Sequence, residues 1–101
     1  MQFISLSARP SQVLACSLAG QRCGIDLRQK TTGLFLSLYV NDALVVGGVV
    51  CVNGELIVRD AYLGFAGDLV FYDMQGADDP FYTGLGTRWI LAYIEPWQIA
   101  A

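Results

Sequence analysis

Asp73, Asp78 and Asp79 come nearest to a reactive constellation in this sequence. Two carboxylates do acid–base work on glycosides when they flank a cleft at about 5 to 9.5 Å, and Asp73 with Asp79 is the candidate pair. The same acidic loop is a candidate calcium site, since calcium takes six to eight oxygen ligands. It lacks the alternating Asp/Asn ligands and closing Glu of an EF-hand loop. Against both stands a structural reading in which Asp78-Asp79-Pro80 is a turn, with Asp side chains bonding nearby amides and Pro fixing φ. Arg88 then neutralises one of the aspartates. The chain contains no His, which removes Ser-His-Asp and Cys-His sites and every imidazole metal ligand. Gly84-Leu85-Gly86-Thr87-Arg88-Trp89 looks like half of a dinucleotide loop, but Trp89 stands where a third Gly belongs and no helix follows. These residues argue for no enzyme, no cofactor and no metal.

Aromatic residues offer a different chemistry, that of contact. Tyr62, Phe65, Phe71, Tyr72, Phe81, Tyr82, Trp89, Tyr93 and Trp97 exceed what one small core needs, and Tyr and Trp are enriched at interfaces. Candidate interface residues are Tyr62, Leu63, Gly64, Phe65, Phe81, Tyr82, Trp89 and Trp97. Tyr62, Tyr82 and Trp89 would also serve a module that binds a carbohydrate or a peptide. Composition points the same way: 54% of the 101 residues are hydrophobic and 15% are charged, against about 25% charged in an average domain. So little polar side chain predicts apolar surface that another chain covers, most simply a second copy. The formal charge of −3 argues against nucleic acid as partner, and Arg22, Arg28 and Lys30 read as a solvated strand face.

Cys16, Cys23 and Cys51 are odd in number, follow no CxxC spacing and sit among apolar neighbours. Buried reduced thiols are expected, as in a reducing compartment. The start lacks the basic region of a signal peptide, and no apolar run reaches the roughly 18 residues that a spanning helix needs. Neither secretion nor a membrane is expected.

The elements that position these side chains are strands. Ile4, Leu6 and Ala8 alternate with serines, and Pro10 closes that strand. Leu14, Cys16 and Leu18 share one parity and Cys23, Ile25 and Leu27 another. A Gly20-Gln21 turn would therefore pair Leu18 with Cys23, Cys16 with Ile25 and Leu14 with Leu27. Residues 34–40 put Leu34, Leu36, Leu38 and Val40 on one face and Phe35, Ser37 and Tyr39 on the other, so both faces are largely apolar. An Asn41-Asp42 turn leads to residues 43–52, where Gly47-Gly48 predicts a bulge. Asn53-Gly54 is the strongest hairpin signal and predicts a type I′ turn. Short pieces follow at residues 62–65 and 69–74, with a Gly67-Asp68 turn between them, a loop to Gly86 and a last strand over 88–94. The tail 97–101 is apolar and predicts docking. No helical period is sustained. The expectation is one all-β domain over residues 1–101, a small antiparallel barrel or sandwich of about seven to eight short strands.

Read as one pattern, Tyr62-Leu63-Gly64-Phe65, Gly67-Asp68-Leu69, Phe71, Asp73, Gly76, Asp79-Pro80, Tyr82, Gly84-Leu85-Gly86 and Arg88-Trp89 resembles the small baseplate plug proteins of contractile-tailed phages, known from cyanophage-type virions. Ile4-Ser5-Leu6, Gly20, residues 25–29, residues 33–36, Gly48, Cys51 and Asn53 fit the same family. The resemblance runs from Met1 to about Ile94 and implies no catalytic residue. It implies a structural virion component of the tail baseplate, made in the host cytoplasm. It also implies a homo-oligomer, a trimer on the tail axis, whose partners are the hub, spike, tail tube or tape-measure proteins.

Overall fold

The computed structural model describes residues 2–18, 20–59, 65 and 67–95. They contain seven strands: β1 (Gln2–Ile4), β2 (Ser11–Leu18), β3 (Gln21–Lys30), β4 (Gly33–Val40), β5 (Ala43–Val50), β6 (Asp68–Asp73) and β7 (Trp89–Ile94), with one 3-10 turn at Tyr82–Gly84. All strand pairs are antiparallel. They form a four-stranded sheet ordered β2-β3-β4-β5 and a three-stranded sheet ordered β1-β7-β6. Among the described residues neither sheet closes into a barrel.

Alternation builds the larger sheet. In β3 and β4, Cys23, Ile25, Leu27, Leu34, Leu36 and Leu38 point inward and are buried, while Arg22, Arg28, Lys30 and Tyr39 point out. Leu69, Phe71, Trp89, Leu91 and Tyr93 of the smaller sheet join the same core. Each such side chain contributes about 1.5–3 kcal/mol on burial. Asn41 and Asp42 both have positive φ, 51° and 66°, the geometry of a type I′ turn, in a residue pair that tolerates it. In the β4–β5 pairing, Leu36 faces Val49 and Leu38 faces Val46. Gly47 and Gly48 thus stand against the single Ser37, forming the expected bulge, and the Ser37 hydroxyl accepts the Gly48 N–H at 3.0 Å.

Several details differ from the sequence reading. Leu18 pairs with Gln21, Cys16 with Cys23 and Leu14 with Ile25, so the first hairpin is shifted by two residues from the expected register. A shift of two leaves every side chain on its face, which is why the parity was legible and the turn position was not. Strand β1 stops at Ile4, and Leu6 packs on the core from outside any strand. Asn53-Gly54 makes a turn, with Glu55 N–H on the Val52 carbonyl at 3.2 Å, but its arms do not pair with each other. Gly54 has φ +76° while Asn53 is not in the positive-φ region, so the turn is not type I′. Its neighbours are claimed by β6 through bridges Asn53↔Phe71 and Leu56↔Val70. Gly54→Val meets no steric neighbour within 4 Å but still pays for left-handed φ. A loss of about 1–2 kcal/mol is expected, read as a lower urea midpoint. The piece expected at 62–64 and the tail 97–101 lie outside the described residues.

Beside the Leu56↔Val70 bridge and the Ile57 N–H bond to the Leu69 carbonyl at 3.0 Å, one buried carboxylate holds segment 55–59. Asp68 is 3% exposed. Its Oδ1 accepts the N–H groups of Ile57 (3.0 Å), Val58 (2.7 Å) and Leu69 (2.7 Å), and its Oδ2 accepts Arg59 N–H at 2.7 Å. Arg59 then turns to φ +67° as the chain leaves this site. Asp68 was expected in a turn; it is the first residue of β6.

Candidate interface and its acidic cluster

Asp73 ends β6 and Arg88 immediately precedes β7, so the ladder sets them side by side, with Met74 N–H on the Arg88 carbonyl at 2.8 Å. Arg88 grips Asp73 with two bonds, Nε to Oδ1 at 2.8 Å and Nη2 to Oδ2 at 2.7 Å, and Nη2 reaches Asp78 Oδ2 at 2.8 Å. The Asp73 side chain is fully covered, and it also accepts the N–H groups of Gln75 and Asp78, each at 2.9 Å. The guanidinium lies 4.4 Å from the Trp89 ring centroid, a cation–π contact. Trp89 Nε1 donates to the Asp78 carbonyl at 3.0 Å. Gly84 lies so close to the indole that a Cβ there would collide with it. Asp79 accepts Asn53 N–H at 3.1 Å, and Asn53 Oδ1 accepts Asp73 N–H at 2.8 Å.

All three aspartates are therefore occupied in building the loop between β6 and β7. The Arg88 hydrogen bonds, helped by the two backbone amides and opposed by burial, hold the Asp73 carboxyl well below the usual carboxylate range. Such a group carries no proton to give at neutral pH. No group of three or more His, Cys, Asp or Glu suited to a metal occurs among the described residues. Because the folded state lowers the proton affinity of Asp73 below its unfolded value of about 3.9, its contribution to stability is complete above that pH. It is lost as pH falls through the folded value. The urea midpoint is expected to stay level from pH 7 to about 5 and drop below about 4, and Asp73→Asn should flatten that acid limb. An equal acid slope in both proteins would assign the loss to other carboxylates.

The candidate interface residues part company. Phe65 is 3% exposed and meets Tyr93 edge-on at 5.7 Å between ring centroids. Trp89 is 5% exposed, so its own chain covers both. Phe81 is 46% exposed and lies 5.0 Å from the half-buried Tyr82 ring. Gln29 Oε1 accepts Tyr82 N–H at 3.1 Å, tying this aromatic pair to β3. The pair borders a shallow depression shared with Pro10, Lys30, Thr32 and Asp79. Tyr62, Leu63, Gly64 and Trp97 lie outside the described residues. Sequence reasoning did not name the outer face of the larger sheet, where Val13, Leu44, Val50 and Tyr39 are exposed. Tyr39 faces Leu44 and Phe35 faces Val50, so their side chains form two apolar rows. The signal was present: residues 34–40 are apolar at both parities. Of the cysteines, Cys23 and Cys51 are buried and Cys16 is half-buried. Burial pushes the Cys51 thiol up to about 12, which makes it inert.

The described residues form a two-sheet, all-β chain whose Asp73, Asp78 and Asp79 are bonded within its own loop and whose outer sheet face sets apolar side chains beside Arg22, Arg28 and Lys30, an arrangement suited to contact. The chain belongs to the family described as cyanophage baseplate Pam3 plug gp18, which matches residues 1–96. No curated protein matches it. The family role is that of a structural baseplate component.

Proposed function

We propose that this chain is the plug of a contractile-tail baseplate, set on the tail axis where it joins or closes the tube, hub and spike. The observation that carries the reading is the family match across residues 1–96. The pairs of Tyr39 with Leu44 and of half-buried Phe35 with Val50 supply the contact surface, and the Phe81–Tyr82 pair adds a second one. In the virion three copies surround the axis and meet hub, spike, tail-tube or tape-measure proteins. Synthesis is in the host cytoplasm. A carbohydrate or peptide module built on Tyr62, Tyr82 and Trp89 draws less support, because Arg88 and Gly84 cover the Trp89 ring.

The test is assembly. Tagged chain co-expressed with each baseplate protein should retain a hub, tube or spike component, and virions lacking it should carry incomplete baseplates. Complete, infectious baseplates without the chain would overturn the role. Quantitative mass spectrometry of purified baseplates against the hub protein checks the copy number.

A further inference from the structure

Strand β2 is an outermost strand of the larger sheet, and among the described residues no strand pairs with its outer edge. Ser11–Leu18 carries no charge, no proline and no bulge along its eight residues, whereas sheet edges are ordinarily blunted by such devices. The other edges are blunted: β5 by the Gly47-Gly48 bulge, β1 by its three-residue length, and β6 by the bridges from Asn53 and Leu56.

The direction in which the β2 backbone points follows from one bond. Gln29 N–H donates to the Pro10 carbonyl at 2.7 Å, which makes Pro10 and Gln29 a hydrogen-bonded pair in register with the β2–β3 ladder. Bonded and non-bonded pairs alternate, so Gln12, Leu14, Cys16 and Leu18 direct their backbone groups at β3. Ser11, Val13, Ala15 and Ser17 direct theirs outward. Val13, 73% exposed, sits in the middle of that outward set.

We propose that the partner of this edge in the free protein is a second copy of the chain, with β2 paired to β2 antiparallel across a two-fold axis. A two-fold pair that matches outward groups to outward groups needs paired residue numbers with an even sum. The sum of 28 uses the whole set: Ser11 with Ser17 and Val13 with Ala15, each met twice, with two bonds per pair. That same register keeps the inner faces continuous. Leu14 meets Leu14 of the other copy and Gln12 meets Cys16, covering side chains that are half-buried in one copy. On the outer face Val13 gains Ala15 as neighbour, and no like charges become adjacent, because Arg22 and Arg28 lie one strand further in. Two four-stranded sheets become one of eight. The contact is small, so the dimer forms and parts with concentration. It stands apart from the baseplate role, and its test needs no other virion protein.

Light scattering on the full chain over a concentration series should show a mass rising from 11.0 kDa toward twice that value. Ala15→Pro removes an N–H that points away from β3, so it should keep the wild-type circular dichroism and urea midpoint yet remain at 11.0 kDa throughout. Leu14→Pro, whose N–H serves β3, should lose the fold. In a Cys16→Ser background, Leu14→Cys should give a covalent dimer on mild oxidation, and this decides the matter if Ala15→Pro misfolds. A wild-type chain that stays monomeric overturns the pairing. So does an assembly that survives Ala15→Pro, or an absent Leu14→Cys crosslink.

Discussion

Asp68→Asn is expected to cost about 3 kcal/mol, as for a buried anion stripped of its charge-assisted bonds, and to lower the melting temperature by roughly 12–24 °C at this chain length. The reason is that no orientation of the amide satisfies the site. With its oxygen where Oδ1 lies, the NH2 group confronts Arg59 N–H; flipped, it confronts the amides of Ile57, Val58 and Leu69. Asp68→Ala takes this acceptor from the Val58, Arg59 and Leu69 amides, while Ile57 N–H keeps the Leu69 carbonyl at 3.0 Å, and it should cost at least as much. Amide hydrogen exchange at residues 58 and 59 should quicken beyond the global change, since these N–H groups lose their acceptor directly. A stability change below about 1 kcal/mol, the worth of one ordinary neutral hydrogen bond, would mean that water replaces the carboxylate.

Trp89→Ala should be the second large loss, about 3–5 kcal/mol, in line with aromatic truncations in cores. The indole is buried, receives the Arg88 guanidinium on its face and donates to the Asp78 carbonyl. Its removal opens a cavity and loosens the loop that carries Phe81 and Tyr82. Trp89→Phe should recover part of the loss by refilling volume, without the Asp78 bond. By contrast Phe81→Ala, at an exposed ring, should leave the urea midpoint nearly unchanged. A Trp89→Ala chain of wild-type stability would show that the side chain matters for contact with other molecules instead of its own core.

What the sequence disclosed is what has a short period. Leu34, Leu36 and Leu38 announce their face by spacing, and Gly47-Gly48 announces a bulge by composition. Positions fixed by long-range geometry stay silent. Nothing near Asp68 in the chain shows that amides ten residues upstream converge on it. Asp73 and Arg88 are fifteen residues apart, so their pairing was legible as a possibility and its two-pronged geometry was not. Asn53-Gly54 misled because a turn dipeptide specifies a local bend and not the partner of its arms. Here β6 outcompeted the expected hairpin, while Asn41-Asp42 adopted the positive φ values.

The pairing of β1 with β7 has a consequence in time. Strands β2 to β5 are each joined to the next by a short turn, so this meander closes few-residue loops and pays little chain entropy as it forms. The smaller sheet instead waits for Ile94, because Gln2–Ile4 finds its partner only in the last strand. On a ribosome the strands of the meander therefore emerge while the opening residues are still unpartnered. Folding finishes when the two ends of the family-matched region meet, a non-local step of the kind that makes β proteins slow to fold.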